Sequence, residues 1–383
     1  MESITRRLVI LKNLLGFFVT YAARIKRRPQ VKHAGEKVAV FSFVTRDYRY
    51  YYPILRHLSG AGYTCYLKVD RRFLQPTDPH FQLILNVENL YFALKLEGAE
   101  KADFLVVEEG NRTDRIPGVK TIVLSDAIFS MDGNFKTQNI IPFSVHPIQY
   151  PHLSGAKIQK LRETKRSLKV FFLGNTSRAL YRDENLSIFH KKLSRNQIIE
   201  AVVEDFGNQV GTQPLPEYLD RPIQLYKPDD WPKNEAESYD SSIANWMPQL
   251  AQTNFFLACP GFAQPMCHSL TEAMAIGTIP ILEHPEYLFP PLENKKNCIA
   301  FAGKSGLKQA IEEVLAMTVA EIELMRSNVV DYYEEHLSGA AVVSMFEQAP
   351  DNSTLYYYSS GQSLKEYARL HKQRKQQQQQ PAL

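Results

Sequence analysis

Short apolar runs alternate with amphipathic stretches along most of this 383-residue chain. Lys37 to Val44 (KVAVFSFV) is apolar almost throughout, so it reads as a strand covered on both faces rather than one with a wet side. Tyr63–Val69, Asp103–Val107 and Thr121–Leu124 repeat that pattern. Between them the apolar spacing turns helical, from Tyr50 to Leu58 and again from Phe81 to Leu96. Strands alternating with helices predict a parallel sheet with helices on both faces. Polar residues follow these strands: Arg46 and Asp47, Glu108 and Glu109, Ser125 and Asp126. The carboxyl ends of parallel strands are where such sheets bind ligands.

The pattern then restarts. Asn139 to Pro151 (NIIPFSVHPIQYP) is punctuated by proline and reads as an interdomain crossing. Leu168–Leu173 is a strand that runs into Gly174-Asn175-Thr176-Ser177, and a long helical pattern follows from Arg178 to about Phe206. Pro214–Pro232 is loop-rich. Asn254–Ala258, Thr278–Leu282 and Cys298–Phe301 read as strands, with a helix at Ser269–Ile276 between the first two. Helices at Leu307–Met317 and Val319–Leu337 close this half, and the final KQRKQQQQQPAL is low-complexity and expected to be disordered. There is no internal repeat beyond two similar βαβ halves. The expected organisation is an N-terminal segment over 1–34, one Rossmann-like domain over 35–150, a second over 151–340, and a C-terminal segment over 341–383.

The N-terminal run Leu8–Ala23 (LVILKNLLGFFVTYAA) is interrupted by Lys12 and Asn13 and falls short of a bilayer span. No small-residue cleavage site follows it, which argues against a signal peptide. Leu8, Leu11, Leu14, Leu15 and Phe18 recur at helical spacing, with Arg6 and Arg7 before and Arg24, Lys26, Arg27 and Arg28 after. Such a basic amphipathic segment is expected to lie in an anionic membrane surface, the other reading being a domain-packing helix. Were it to span, the excess of positive charge after it would hold the body of the protein in the cytoplasm. The expected location is the cytoplasmic face of a membrane. Sequons at Asn111, Asn175, Asn185 and Asn352 keep open a Golgi-lumen alternative with a single N-terminal anchor.

Charge and cysteine content narrow the function. A formal net charge of +4 is too small for a dedicated nucleic-acid binder. The four cysteines, Cys65, Cys259, Cys267 and Cys298, form no CxxC pair or zinc-finger spacing, so they read as buried thiols in a reducing compartment. Asp229-Asp230 is the nearest thing to a metal-bridging acidic pair, and it lies in the proline-rich loop. No essential metal and no cofactor are expected. Gly303-Lys304-Ser305 resembles the end of a phosphate loop, but Cys298 stands where the first glycine belongs, so it reads as the turn that starts a helix.

The stretch Cys259–Leu282 (CPGFAQPMCHSLTEAMAIGTIPIL) carries the most chemistry. A strand reaches a turn at Pro260-Gly261, a loop follows, and a helix starts near Ser269 with its amides free to meet an anion. Glu272 falls in what reads as the first turn, placed either to accept hydrogen bonds from a ribose diol or to complement the helix dipole. The segment LACPGFAQPMCHSLTEAMAIGTIPIL resembles the nucleotide-sugar segment of the exostosin family of glycosyltransferases. Ile140-Ile141-Pro142 and LKVFFLGNTSRALYRDENL resemble two further family segments in the right order, so the likeness covers about Asn139 to Met317.

That resemblance implies an α/β chain of GT-B fold, two Rossmann-like domains facing a cleft, and sugar transfer from a nucleotide-sugar donor, a UDP-sugar first. It implies Glu272 at the donor ribose and Ser269 near the diphosphate. His268 stands where the family often has a basic residue, and Gly174 with Arg178 or Arg182 fills the Gly-to-Arg segment. An inverting transfer needs a base for the acceptor hydroxyl. Asp47 leads, with Glu109 and Asp126 as alternatives at neighbouring strand ends, and Tyr48, Tyr50, Tyr51 and Tyr52 cluster nearby. The expected acceptor is a glycan or glycolipid, in polysaccharide or lipopolysaccharide synthesis. The alternatives are a secretory-pathway exostosin-like enzyme and a non-catalytic GT-B relative that binds nucleotide or glycan.

Overall fold

The computed structural model describes residues 16–29, 35–111, 113–129, 138–181, 186–213, 220–227 and 239–379. Among them, thirteen strands form two sheets, parallel throughout, in two compact units. The first unit takes in the described residues up to Ile128, residues 138–141 and Gly339–Ser359. Its sheet contains β1 (Ile25–Lys26), β2 (Val38–Ser42), β3 (Thr64–Lys68), β4 (Leu90–Ala93), β5 (Phe104–Glu108), β6 (Lys120–Ser125) and β13 (Ser353–Tyr356), in the order β1-β4-β3-β2-β5-β6-β13. Setting the short β1 aside, this is the Rossmann order, which reverses between β2 and β5. Every residue of β2 and of β5 is buried, which is why both strands lack an apolar–polar alternation.

The second unit holds β7 (Leu168–Leu173), β8 (Val210–Gly211), β9 (Ile223–Tyr226), β10 (Thr253–Leu257), β11 (Ile279–Leu282) and β12 (Ile299–Ala300), in the order β12-β11-β10-β7-β9-β8. Here the order reverses between β7 and β10, whose register pairs Phe255 with Val170 and Phe256 with Phe171. These reversals are the switch points at which open α/β sheets take ligands.

Several expectations are corrected. The helix expected over Phe81–Leu96 is only Pro79–Leu85, started by the Asp78 carboxylate accepting from the amides of His80 and Phe81. The chain passes through the left-handed region at Asn89 (φ 50°) and then extends as β4, burying Leu90, Phe92 and Ala93. Of the helix expected from Arg178 to Phe206, the described residues hold a single π-helical turn, Leu186–His190, and an α-helix that begins at Arg195. Lys191 breaks the run at φ 54°, and Ser194 starts the helix with a reciprocal cap to Gln197. The loop-rich Pro214–Pro232 contains β9, buried at all four positions.

The ends of the chain also differ. Of the expected membrane segment, residues 1–15 and 30–34 lie outside the described residues. Phe17 is buried against Phe81 and Phe92. Arg24 donates to the carbonyls of Leu85 and Val87 at 2.6 and 3.2 Å, and Ile25–Lys26 pairs with Phe92–Ala93. Residues 16–26 therefore pack into the first unit. No described helix is long and apolar enough to cross a membrane. The expected C-terminal segment is not a separate piece either. Helix Gly339–Gln348 and β13 join the first unit because β13 completes its sheet beside β6, and helix Ser360–Gln379 returns to the second. That helix includes most of the glutamine-rich stretch read as disordered; residues 380–383 lie outside the described ones.

Candidate functional site

At the switch point of the second sheet, Gly174-Asn175 follows β7 and Cys259-Pro260-Gly261 follows β10. Arg195, the first residue of the helix Arg195–Phe206, reaches across both. Its Nη1 donates to Asn175 O at 3.0 Å and its Nε to Pro260 O at 3.2 Å, while the guanidinium lies 4.0 Å from the centre of the Tyr181 ring. The residue is 7% exposed, and no carboxylate among the described residues pairs with it. Its Nη2 donates to no described residue. Gly174 makes room for it, since a Cβ there would lie 2.9 Å from the Phe172 ring and 3.2 Å from Arg195 Nη1. Gly261 is likewise confined: a Cβ would meet the Met266 carbonyl at 2.8 Å.

The far side of the 260s loop is fixed by three rings. Tyr367 donates to Ala263 O at 2.5 Å, so its oxygen must accept from His190 Nε2 at 2.8 Å. His190 Nδ1 is then left to accept from the Tyr287 hydroxyl at 3.2 Å. Burial pushes His190 down to about 4, which keeps the ring neutral as this arrangement requires.

The helix that begins after this loop is His268–Ala275. Ser269, its second residue, is half-exposed, with its hydroxyl against the Cys267 sulfur. Glu272 is the fifth residue, so it lies beyond the first turn where the sequence reading had placed it. It is 3% exposed, and accepts from the His146 amide at 3.0 Å on one oxygen and from Trp246 Nε1 at 2.6 Å on the other. His268 Nδ1 sits 2.7 Å from Ser144 O, which can only accept, and Thr271 Oγ1 donates to Phe143 O at 2.6 Å. Positions 268, 271 and 272 share one helical face, and in this structure that face clamps the segment Phe143–His146.

Arg178 lies at the surface of this unit. Its side chain is 73% exposed and pairs with Glu200. Residues 178–180 form a turn rather than the helix that would have set Arg178 and Arg182 on one face, and Arg182 lies outside the described residues. Arg195 was missed in the sequence. The signal that could have found it is Ser194-x-x-Gln197, a helix start 20 residues after a strand-glycine pair.

The first unit gathers its acids at its own switch point. Asp47 follows β2 and is half-exposed; its Oδ2 accepts from Tyr357 OH at 2.9 Å and Ser359 Oγ at 3.2 Å, both just past β13. Glu109 is exposed and accepts from Ser125 Oγ at 2.5 Å. Asp126 is half-exposed, and its charge helps push the Tyr357 hydroxyl upward. All three candidate bases thus stand at the carboxyl ends of β2, β5 and β6. The sequence reading passed over Glu108, the last residue of β5, which is 4% exposed. Its Oε1 accepts from the Val44 and Thr45 amides, Thr45 Oγ1 and Tyr51 OH, at 2.9–3.0 Å. Burial raises its carboxyl above the ordinary glutamate range, against the pull of these hydrogen bonds.

The tyrosine cluster is mostly core. Tyr51 stacks on Phe43 at 4.1 Å, Tyr48 packs edge-on to Phe73 at 5.0 Å, and Tyr52 is buried. Tyr50 alone of the four is half-buried. A cavity of about 730 Å³ in this unit, lined by Tyr52, Arg56, His57 and Gly339 among others, includes none of the three candidate bases. Among the described residues no group of three or more His, Cys, Asp or Glu side chains is arranged to hold a metal ion.

No protein-family model and no curated protein sequence matches the chain. Solved structures do. Sucrose-phosphate synthase from Thermosynechococcus elongatus matches at 11% identity and a TM-score of 0.39, over 82% of this chain and 98% of that one. Anabaena HepE, in complex with UDP and glucose, matches at 11% identity and a TM-score of 0.43, over 81% and 98%. A glycosyltransferase from Rickettsia africae matches at 9% identity and a TM-score of 0.41, over 81% and 97%. The fold stands on the strand orders. The class is α/β, with the two parallel, Rossmann-like units that a GT-B chain contains.

Proposed function

We propose that the protein is a glycosyltransferase that moves a sugar from a nucleotide-sugar donor, a UDP-sugar first, to a glycan or glycolipid acceptor. The observation that carries this reading is Arg195. A guanidinium 7% exposed, without a carboxylate among the described residues and held by two carbonyls at a sheet switch point, is a cation built to meet an anion. A donor diphosphate supplies that anion, and the half-exposed Ser269 and the amides of its helix lie in the segment that returns from the same strand end. Gly174 and Gly261 keep the two loops low enough to approach it. In the first unit, Asp47 takes the acceptor proton.

Within the glycosyltransferases we infer an exostosin-like hexosyl transferase. The strand β10, the Pro-Gly turn, the helix His268–Ala275, Gly277 at φ 73° and β11 follow one another as the resemblance implies. We also propose peripheral attachment to the cytoplasmic face of a membrane in polysaccharide synthesis. The membrane part now rests on the apolar and basic residues before Gly16, because Arg24 and Ile25–Lys26 are engaged in the first unit.

Calorimetric titration with UDP, GDP, CMP and their sugars tests the reading. A nucleoside diphosphate should bind and raise the melting temperature. A charged hydrogen bond contributes about 1.5–3 kcal/mol, so Arg195→Gln should weaken that binding roughly 10- to 150-fold. Arg195→Lys, which keeps the charge but loses the fork, should fall between the two. A folded wild-type protein that binds no nucleotide, or a folded Arg195→Gln protein with unchanged affinity, overturns it.

A further inference from the structure

Four side chains at the first unit's switch point are linked in series. Tyr357 OH is 2.9 Å from Asp47 Oδ2, Tyr51 OH is 3.1 Å from Tyr357 OH, and Tyr51 OH is 2.9 Å from Glu108 Oε1. Three links need three hydrogens, and two phenols carry two. Thr45 Oγ1, 2.7 Å from Tyr51 OH and 2.9 Å from Glu108 Oε1, can add a bond beside the chain but cannot fill any of the three links. With both carboxylates ionised, one link would set lone pair against lone pair in a buried place, a costly arrangement. One more proton closes the chain in either direction. Held on Asp47, it makes Tyr357 donate to Tyr51 and Tyr51 to Glu108. Held on Glu108, it makes Tyr51 donate to Tyr357 and Tyr357 to Asp47.

We propose that Asp47 and Glu108 share a single proton through Tyr357 and Tyr51, so that Glu108 and the two tyrosines are positioning residues that set the charge on Asp47. The surroundings agree. Tyr51 and Tyr357 are both pushed up, first by burial, so the phenols relay hydrogen bonds without ionising. No described cation pairs with either carboxylate. The remaining charges that face the chain are Asp126, toward Tyr357, and the exposed Arg72, which feels Glu108 at a distance.

For catalysis this rests on the glycosyltransferase reading. With the shared proton on Glu108, Asp47 is ionised. The acceptor O–H bond breaks and its proton goes to Asp47, while the electron pair left on oxygen forms the new bond to the sugar carbon. The nucleoside diphosphate leaves with the electrons of the old carbon–oxygen bond. The chain then holds one proton too many, and the half-exposed Asp47 releases it to water.

Infrared spectroscopy of the full-length protein without substrate tests the shared proton independently of any activity. At neutral pH the wild type should show a protonated carboxyl C=O band that shifts in D2O. Asp47→Asn and Glu108→Gln each remove one of the two carboxyls that share the proton, so each should lose the band, with the fold of each variant checked by circular dichroism. Tyr51→Phe cuts the chain and should lose it too, whereas Glu109→Gln should keep it. The absence of the band in the wild type, or its survival in both Glu108→Gln and Asp47→Asn, overturns the proposal. In an assay of transfer, Glu108→Gln should change the pH profile of kcat/KM, a readout that a merely structural role would not move. If the band behaves as stated and no nucleotide sugar is consumed, the proton chain stands and the transfer reading fails.

Discussion

A carboxylate as buried as Glu272 is tolerated because both of its oxygens already hold donors, the His146 amide and the Trp246 indole. Replacing it with Gln leaves one acceptor for two donors and turns an N–H toward the other. We therefore expect Glu272→Gln to lower stability by about 1–3 kcal/mol, read as a lower denaturation midpoint at unchanged slope. An unfolding midpoint equal to wild type, with a weakened nucleotide affinity instead, would support Glu272 at the donor ribose. Residues of this kind were half-legible in the sequence. The position of Glu272 on a helix between a turn and a strand was readable. Its partners were not, because His146 and Trp246 lie 126 and 26 residues away. Glu108 and Glu109 show the same limit. The strand runs one residue past its apolar letters, so the buried acid is the first of the pair. Arg195 was hidden because an arginine opening a helix reads as solvated unless the tertiary fold buries it.

At the scale of elements, parallel strands with a buried apolar run were the easiest to read. β2, β5, β7, β10 and β11 are runs of apolar letters with no competing period. β4 was read as helix because LYFALKL continues the spacing of the helix before it, and only the left-handed turn at Asn89 breaks the two apart. β1 is two residues long and owes its existence to β4, so nothing local announces it. Its contribution can be measured. Deleting residues 1–15 should leave the first unit intact. Deleting 1–28 also removes the buried Phe17, the Arg24 bonds and β1. Loss of a buried aromatic alone costs about 3–5 kcal/mol, so this longer deletion should lower the thermal midpoint well below that of the shorter one. Equal midpoints would show that residues 16–28 contribute nothing to the fold. The shorter deletion is also the proper test of membrane attachment. Loss of binding to anionic vesicles by a protein with an unchanged midpoint would assign attachment to residues before Gly16, and retained binding would remove that proposal.

At the scale of the whole chain, the two βαβ halves were legible, but the path of the last 45 residues was not. A strand of four residues, Ser353–Tyr356, contributes a partner to β6 from more than 220 residues away, and no local pattern can announce such a pairing. The consequence is that the C-terminal segment serves both units. Val342, Val343, Phe346, Leu355 and Tyr357 are buried in the first. Tyr367 is buried in the second, where it holds the Ala263 carbonyl. Burying a large apolar side chain contributes about 1.5–3 kcal/mol, so five of them rival the entire 5–15 kcal/mol by which a domain is stable. Truncation after Ser338 should therefore leave the first unit unfolded, with amide exchange along β5 and β6 as fast as in the denatured chain. The second unit loses less. It should stay folded, with faster exchange confined to the residues after β10, where Tyr367 and His190 had fixed the loop. Truncation after Gln379 should change neither. Slow exchange on β6 in the protein ending at Ser338 would show that the first sheet is complete without β13, and that the segment only covers its edge.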